Sequence, residues 1–378
     1  MAQSQQICTS CVMDESDPSL SFDEEGVCNR CSNFRKFVLP LWRPDELSME
    51  RFGATAEKIR KAGEGKEFDC LLGLSGGLDS SYLLHVAVKQ FGLRPLVFHV
   101  DGGWNSELAV HNINALVEGL DVELFTEVIN WHEMRDFQLS WLKAGVPHID
   151  IAQDHAFVAT LYRFAESHGI KYILNGGNYA TESVQPPMDF YYYGTDMKHI
   201  NDIHKQFGTR SLDTYPFSSV YRHKVWLRYV KGVEVVKPLD QIPFSQESAI
   251  NTLSKEYGWR SYQQKHFESN FTRFYEAYWL PTRFNFDVRR CQFSSLILSG
   301  QMSRAEAITR LTSPTLSDSK MQRDFAYVAT KLGISDDELS GFLTSPKKYY
   351  WDYKNQKREI DIGAKVMRLM KLEGSIKQ

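Results

Sequence analysis

The stretch FDCLLGLSGGLDSSYLLHVAVKQ, residues 68–90, limits the possible folds more than any other part of the chain. A continuous apolar run of strand length, Phe68 to Leu74, enters a turn rich in glycine and hydroxyls. Beyond the turn, Leu83, Leu84, Ala87 and Val88 recur at helical spacing from Ser80 to Gln90, and Gly92 stops the helix. A strand that is apolar on both faces and leads straight into a helix belongs to a parallel sheet covered on both sides. The turn between them puts free backbone N–H groups at a helix N-terminus. Such a turn binds anions, because its donors are unpaired and the helix dipole adds partial positive charge.

The alternation continues downstream. Pro95–Val100 reads as a strand ending in Asp101-Gly-Gly, 108–120 as a helix, 122–129 as a strand and 154–167 as a helix. Lys171–Leu174 is a strand running into Asn175-Gly-Gly-Asn178. From Tyr179 to Val230 the pattern gives way to an aromatic insertion punctuated by proline and glycine. It resumes with the strand 233–236 and a helix from about Ser245. After Gly258 only helical segments remain: 264–279, 303–311, 320–332 and 336–343. The expected architecture is an α/β protein in three parts: a small cysteine knuckle with its linker (1–50), an α/β domain (51–260) and a helical C-terminal region (261–378).

The first part cannot make a conventional core, since residues 1–35 hold little apolar material beyond their cysteines. Cys8-Thr-Ser-Cys11 and Cys28-Asn-Arg-Cys31, separated by sixteen residues, have the spacing of a tetrahedral zinc ribbon. Two intervening residues let a turn aim both thiolates at one ion. Four thiolates close the coordination sphere, so the expected zinc is structural rather than catalytic; an iron–sulfur cluster is the chemical alternative. Of the six cysteines, Cys70 reads as core packing on a buried strand and Cys291 is unassigned. No apolar run approaches the ~20 residues needed to span a bilayer, and the opening residues lack a leader pattern. A cytoplasmic protein without membrane insertion is therefore expected. The net charge of −3 gives no general attraction to nucleic acid, a local basic patch aside.

The turn lacks the Gly-Lys-[Ser/Thr] ending of a Walker A loop, and its glycine spacing is not that of a dinucleotide fingerprint. Ser75-Gly76-Gly77-Leu78-Asp79-Ser80-Ser81 instead resembles the Ser-Gly-Gly-x-Asp-Ser loop of the PP-loop ATP pyrophosphatases. That resemblance implies a loop that holds the β,γ-pyrophosphate of ATP, cleavage between the α- and β-phosphates, and adenylation of an oxygen. Ser75, Gly76, Gly77, Asp79, Ser80 and Ser81 would then bind nucleotide, with Asp79 as a magnesium ligand or loop-orienting residue. Asp101 and Gly176, in loops at the ends of later strands, would face the nucleotide, although an ordinary turn explains each loop equally well. Glu182 would hold magnesium or face water. Lys237, in Val236-Lys-Pro-Leu239, would reach phosphate and join Asp79 in catalysis.

The knuckle ahead of this domain, the stretches FHVDGGWNS and ILNGGN, the run from Asn270 to Leu311 and the ending ISDDELSGFL together resemble the N-acetyl-sugar amidotransferases of bacterial surface-polysaccharide (O-antigen, lipopolysaccharide) synthesis. The resemblance implies that ATP and Mg2+ activate the acetamido carbonyl of a UDP-linked diacetamido sugar, typically a uronate. Ammonia from a separate glutaminase and cyclase-like pair would displace AMP and leave an acetamidino group. Arg283, Arg289 and Arg290 are candidates for the substrate's phosphates or carboxylate, or are surface and helix-pairing charges; Tyr191–Tyr193 would stack on uracil or serve packing. Two rival readings accompany this one: a tRNA-thiolation enzyme that adenylates a base carbonyl, and a non-enzymatic ATP-binding scaffold.

Overall fold

A computed structural model describes residues 6–370 except 43, 44 and 46. The leader reading of the first residues therefore lies largely outside the described residues. Five strands, β1 (Cys70–Gly73), β2 (Pro95–Asp101), β3 (Leu124–Val128), β4 (Tyr172–Leu174) and β5 (Glu234–Val236), form one sheet in the order β3-β2-β1-β4-β5. Every pairing is parallel; Leu71 lies opposite Leu96 on one side and Ile173 on the other. The order reverses between β1 and β4, so the chain leaves these neighbours toward opposite faces. An open α/β sheet forms its ligand crevice at such a point.

Alternation along β1 feeds two cores. Cys70 and Leu72 pack with Phe52, Ile59, Leu83, Leu84, Leu116 and Leu253, while Leu71 packs with Phe98, Ala152, Ile173 and the aromatic residues of the C-terminal helices. The second cluster also contains the four knuckle cysteines, Phe274, Leu339 and Tyr353. All three parts expected from the sequence thus contribute to one apolar core. Among the described residues, no helix is long and apolar enough to cross a membrane.

Several helices escape a reading based on apolar spacing, among them Ser48–Ala62, Arg289–Leu298 and Lys357–Leu369. Trp131–Ala144 buries Glu133, Asp136, Gln138 and Ser140 among its apolar residues, which blurs its stripe. The carboxylates are there to hold the 179–230 insertion. Glu133 accepts from Thr214 N–H (3.0 Å) and its hydroxyl (2.9 Å), and Asp136 accepts from His204 Nε2 (3.1 Å), Thr209 N–H (3.0 Å) and Arg210 N–H (3.2 Å). The insertion itself carries the helix Met197–Phe207 and a helical segment, Arg222–Val230. The expected helix over 264–279 begins instead at Asn270, capped by the Ser269 hydroxyl, and 259–269 runs as an irregular strap.

Candidate active site

The turn after β1 keeps the shape that its sequence implies. Gly76 has φ +81°, and a Cβ there would stand 2.8 Å from the Ala109 carbonyl oxygen, so only glycine fits. Gly77 caps the helix Leu78–His85 without a side-chain hydrogen bond, leaving the first N–H groups of that helix for a ligand. Ser75 and Ser80 bring their hydroxyls within 3.2 Å of each other at the mouth of the turn. The loop after β4 backs against it: a Cβ on Gly176 would lie 3.0 Å from Ser80 N.

These two loops open into a cavity of about 460 Å³, roofed by the strap and by Gln292, Phe293, Leu296 and Arg310. The strap is tied down at both ends. Tyr262 Oη and Trp259 Nε1 donate to the Gly76 carbonyl at 3.0 and 3.3 Å, and Asn112 accepts from Arg260 N–H at 2.9 Å. At the far end, Ser106 N–H donates to the Glu268 carbonyl (2.8 Å) and Asn270 N–H to the Trp104 carbonyl (2.8 Å).

Between these anchors the strap places charge against these two loops. Lys265 Nζ reaches Asp79 (2.6 Å), Glu182 (2.8 Å) and the Thr181 hydroxyl (2.9 Å), tying the β1 helix to the β4 loop. Burial works to raise the Glu182 pKa, but Lys265 outweighs it and holds the carboxyl below its ordinary range. His266 Nδ1 meets the buried Glu276 carboxylate at 2.8 Å. Glu268 Oε1 lies 3.3 Å from the Ser75 hydroxyl, and burial pushes this carboxyl upward. Sequence reasoning missed Lys265, His266 and Glu268 because it extended a helix through them. The warning was Gln263-Gln-Lys-His266, four polar residues where a packed helix needs an apolar one, followed by the helix-capping Ser269.

Of the residues expected to meet nucleotide, Ser75, Gly77, Asp79, Ser80, Gly176 and Glu182 line the cavity. Gly76 shapes the turn from behind. Ser81 is turned into the core, with its hydroxyl unpartnered. Asp101 does not line the cavity; its carboxylate accepts from Gly103 N–H at 2.7 Å and shapes its own loop. Lys237 stands behind Gly177, with its Cε 3.7 Å from where a Cβ there would be, outside the cavity lining.

The three substrate arginines need correction. Arg283 is buried and spends its guanidinium on the carbonyls of Phe342, Leu343, Ser345 and Pro346, at 2.6–2.9 Å, which ties down the end of the helix Asp336–Thr344. Arg289 pairs with Asp287 (2.6 Å) and the Ser313 carbonyl (2.9 Å). Arg290 binds the Val12 carbonyl (2.7 Å) and Asp14 (2.8 Å). None of the three lines the cavity. Tyr191, Tyr192 and Tyr193 likewise donate to Glu276, Asp196 and Asp361, so packing accounts for them rather than base stacking. Cys70 and Cys291 are buried, and burial pushes both thiols upward; neither lines the cavity.

The cysteine quartet converges. All four Sγ atoms lie within 4.8 Å of one another, with Cys8–Cys31 at 3.9 Å, Cys11–Cys28 at 3.6 Å and Cys28–Cys31 at 3.7 Å. A tetrahedron with metal–sulfur bonds of ~2.3 Å has edges of about 3.8 Å, so the residues fit a single ion. An iron–sulfur cluster would interpose its own atoms and spread the cysteines further apart. N–H groups of Ser10, Cys11 and Cys28 point at Cys8 Sγ (3.2–3.4 Å), the outer-shell support a thiolate needs. Arg304 clasps the knuckle through the carbonyls of Cys8 (2.8 Å) and Cys11 (2.9 Å).

Fold and site together define an α/β protein with a glycine turn, its first helix N–H groups free, at the switch point of its sheet, and a four-cysteine knuckle that fits one metal ion. Residues 268–367 match the family described as "LPS biosynthesis protein WbpG-like, C-terminal domain", and this region supplies part of the cavity wall. The chain is also 25% identical, over 162 residues, to the uncharacterized protein MJ1599 of Methanocaldococcus jannaschii; the match covers 40% of this chain and 57% of that protein. It therefore spans little more than half the length of that curated relative. Among solved structures, the chain is similar to NMN synthetase from Francisella tularensis (14% identity, TM-score 0.36, 70% of this chain and 91% of that one). It is also similar to the U34-tRNA thiolase NcsA from Methanococcus maripaludis (13%, TM-score 0.30, 91% and 90%).

Proposed function

We propose that this chain is an ATP-dependent, AMP-forming amidotransferase of lipopolysaccharide synthesis. It would adenylate the acetamido carbonyl of a UDP-linked diacetamido sugar, with a uronate as the expected form, and replace its oxygen with ammonia. The observation that carries the nucleotide half is the Ser75–Ser80 turn, whose N–H groups and hydroxyls open into a cavity bounded by Asp79 and Glu182. The lipopolysaccharide half rests on the match over 268–367. An amide carbonyl is a poor electrophile and its oxygen a poor leaving group; adenylation repairs both faults. Negative charge grows on the departing pyrophosphate, where the turn is already aimed. Asp79 and Glu182 offer the oxygen ligands that magnesium prefers, and a bound magnesium would neutralise that charge. Zinc is the ion proposed for the knuckle, which lies apart from the reacting groups and serves structure. Ammonia would come from a separate glutaminase and cyclase-like pair, and the protein would work in the cytoplasm.

The test is direct. The purified chain is incubated with ATP, Mg2+, ammonium and a panel of UDP-diacetamido sugars, and the products are weighed by mass spectrometry. AMP, pyrophosphate and a sugar nucleotide lighter by one mass unit are expected. ADP in place of AMP would refute the cleavage site.

A further inference from the structure

We infer that His266 is a phosphate-contacting residue, whose imidazolium Nε2–H donates to a phosphoryl oxygen of the bound nucleotide; the inference rests on the nucleotide reading above. Glu276 is the buried carboxylate that keeps the ring charged and oriented. Three features of the geometry point there.

The first is the division of the ring's two nitrogens. Nδ1 meets Glu276 at 2.8 Å, and Glu276 is itself fixed by the Tyr191 hydroxyl (3.2 Å) and faced by Gln292 Nε2 (3.5 Å). The ring is still 39% exposed and lines the cavity, so Nε2 is left for a ligand. A histidine held on one side by a carboxylate and open on the other is oriented to act on something bound beside it. The second is the backbone. His266 has φ +67°, a left-handed conformation that costs a non-glycine residue about 1–2 kcal/mol. Strain of this kind persists where the surroundings hold a side chain in place for a task. The third is the charge balance of the cavity. Lys265, next in the chain, is already committed to Asp79 and Glu182, and Glu268 places a carboxylate beside the Ser75 hydroxyl. A triphosphate entering that setting needs further donors, and His266 stands on the strap to supply one while Arg310 faces the cavity from the roof.

The charged groups acting on His266 are Glu276, Lys265, Glu268 and Glu182. Burial and Lys265 oppose protonation, but Glu276 prevails and the ring is pushed up to about 9. Burial also pulls Lys265 down, yet Asp79 and Glu182 more than reverse it, so its ammonium outlasts the His266 transition. The imidazolium is thus present near neutral pH and lost as pH rises through about 9.

The experiment measures binding of Mg2+ with the non-hydrolysable α,β-methylene analogue of ATP to the full chain by calorimetry, from neutral pH to above the His266 transition. Wild type should weaken along an alkaline limb. H266Q should bind roughly ten- to a hundredfold more weakly near neutral pH, the effect of losing one charge-assisted donor, and should lack that limb. E276Q should move the limb toward acid by more than about one pH unit, since the ring then falls toward its ordinary value near 6.5. Because His266 sits at the cavity surface, H266Q decides the matter even if E276Q fails to fold. Unchanged affinity and an unchanged limb in H266Q overturn the inference and leave the nucleotide reading standing. A wild-type chain that binds no analogue at any pH brings down both.

Discussion

Replacing Lys265 by methionine removes the cation that bridges Asp79 and Glu182 while keeping the length and volume of the side chain. The ammonium sits 2.6 and 2.8 Å from the two carboxylates, and the three side chains are 14%, 15% and 32% exposed. At an effective dielectric constant of ~20, each contact has a gross attraction of about 6 kcal/mol, most of it offset by desolvation. Removing one partner of a buried pair costs about 3–5 kcal/mol, because the remaining charge stays buried and unpaired. Solvent reaching Glu182 reduces the expectation to about 2–3 kcal/mol near neutral pH. The pH dependence has a definite sign. Glu182 is held below its ordinary range in the folded wild type, so its contribution is present above the unfolded pKa and is lost as pH falls through the folded one. Wild type and variant should therefore differ most near pH 7 and converge in acid. Magnesium should stabilise the variant more than the wild type, since a hard cation takes the same oxygens. Urea unfolding across about pH 4–8, with and without Mg2+, reads all three effects. Equal midpoints throughout, or no difference in the response to magnesium, would refute the idea that this lysine secures the strap to the nucleotide loops.

Gly76→Ala should lose both stability and nucleotide binding. The left-handed backbone costs about 1–2 kcal/mol, and the new Cβ meets the Ala109 carbonyl at 2.8 Å, which urea midpoints and analogue affinity check together. Arg283→Met should destabilise by about 3 kcal/mol or more, through the buried carbonyls it leaves unpaired, without changing analogue affinity; weakened binding in the folded variant would return this residue to the substrate site. Native mass spectrometry should find one metal ion per chain. Removing it with a chelator, or by Cys11→Ser, should speed hydrogen exchange in the knuckle and in the helices Arg289–Leu298 and Arg304–Thr312, which Arg290 and Arg304 clamp to it.

Where local chemistry decides a structure, the sequence was readable. Phe68–Ser81 announced a strand, a turn and a helix N-terminus, because glycine spacing and a β-to-α change of apolar period leave few alternatives. The cysteine pairs announced their own convergence, since thiolates at that spacing have one common use. What stayed hidden depends on partners distant in sequence. Glu133 and Asp136 look like breaks in an amphipathic pattern until Thr214 and Thr209 are known to lie opposite them. Arg283, Arg289 and Arg290 look like ligands for anions until carbonyls and aspartates from other segments are seen to occupy them. The strap at 259–269 has no periodicity of its own, and its form is set by Gly76, Asn112 and Trp104, each well over a hundred residues away in the chain.

The knuckle, remote in sequence from the loops after β1 and β4, meets one wall of the cavity. Val12 packs with Phe293 and Leu296 in a small cluster with Met302 and Ala307, and Phe293 and Leu296 also line the cavity. Arg290, from that helix, binds the Val12 carbonyl, and Arg304 binds the carbonyls of two cysteines. The wall thus packs in part against the knuckle, a segment short of apolar residues beyond its cysteines. A segment of that kind is rigid to the extent that its metal site is closed. If a metal closes the quartet, removing it should loosen Phe293 and Leu296 and weaken binding of the nucleotide analogue to the full chain; unchanged affinity after chelation would refute the coupling.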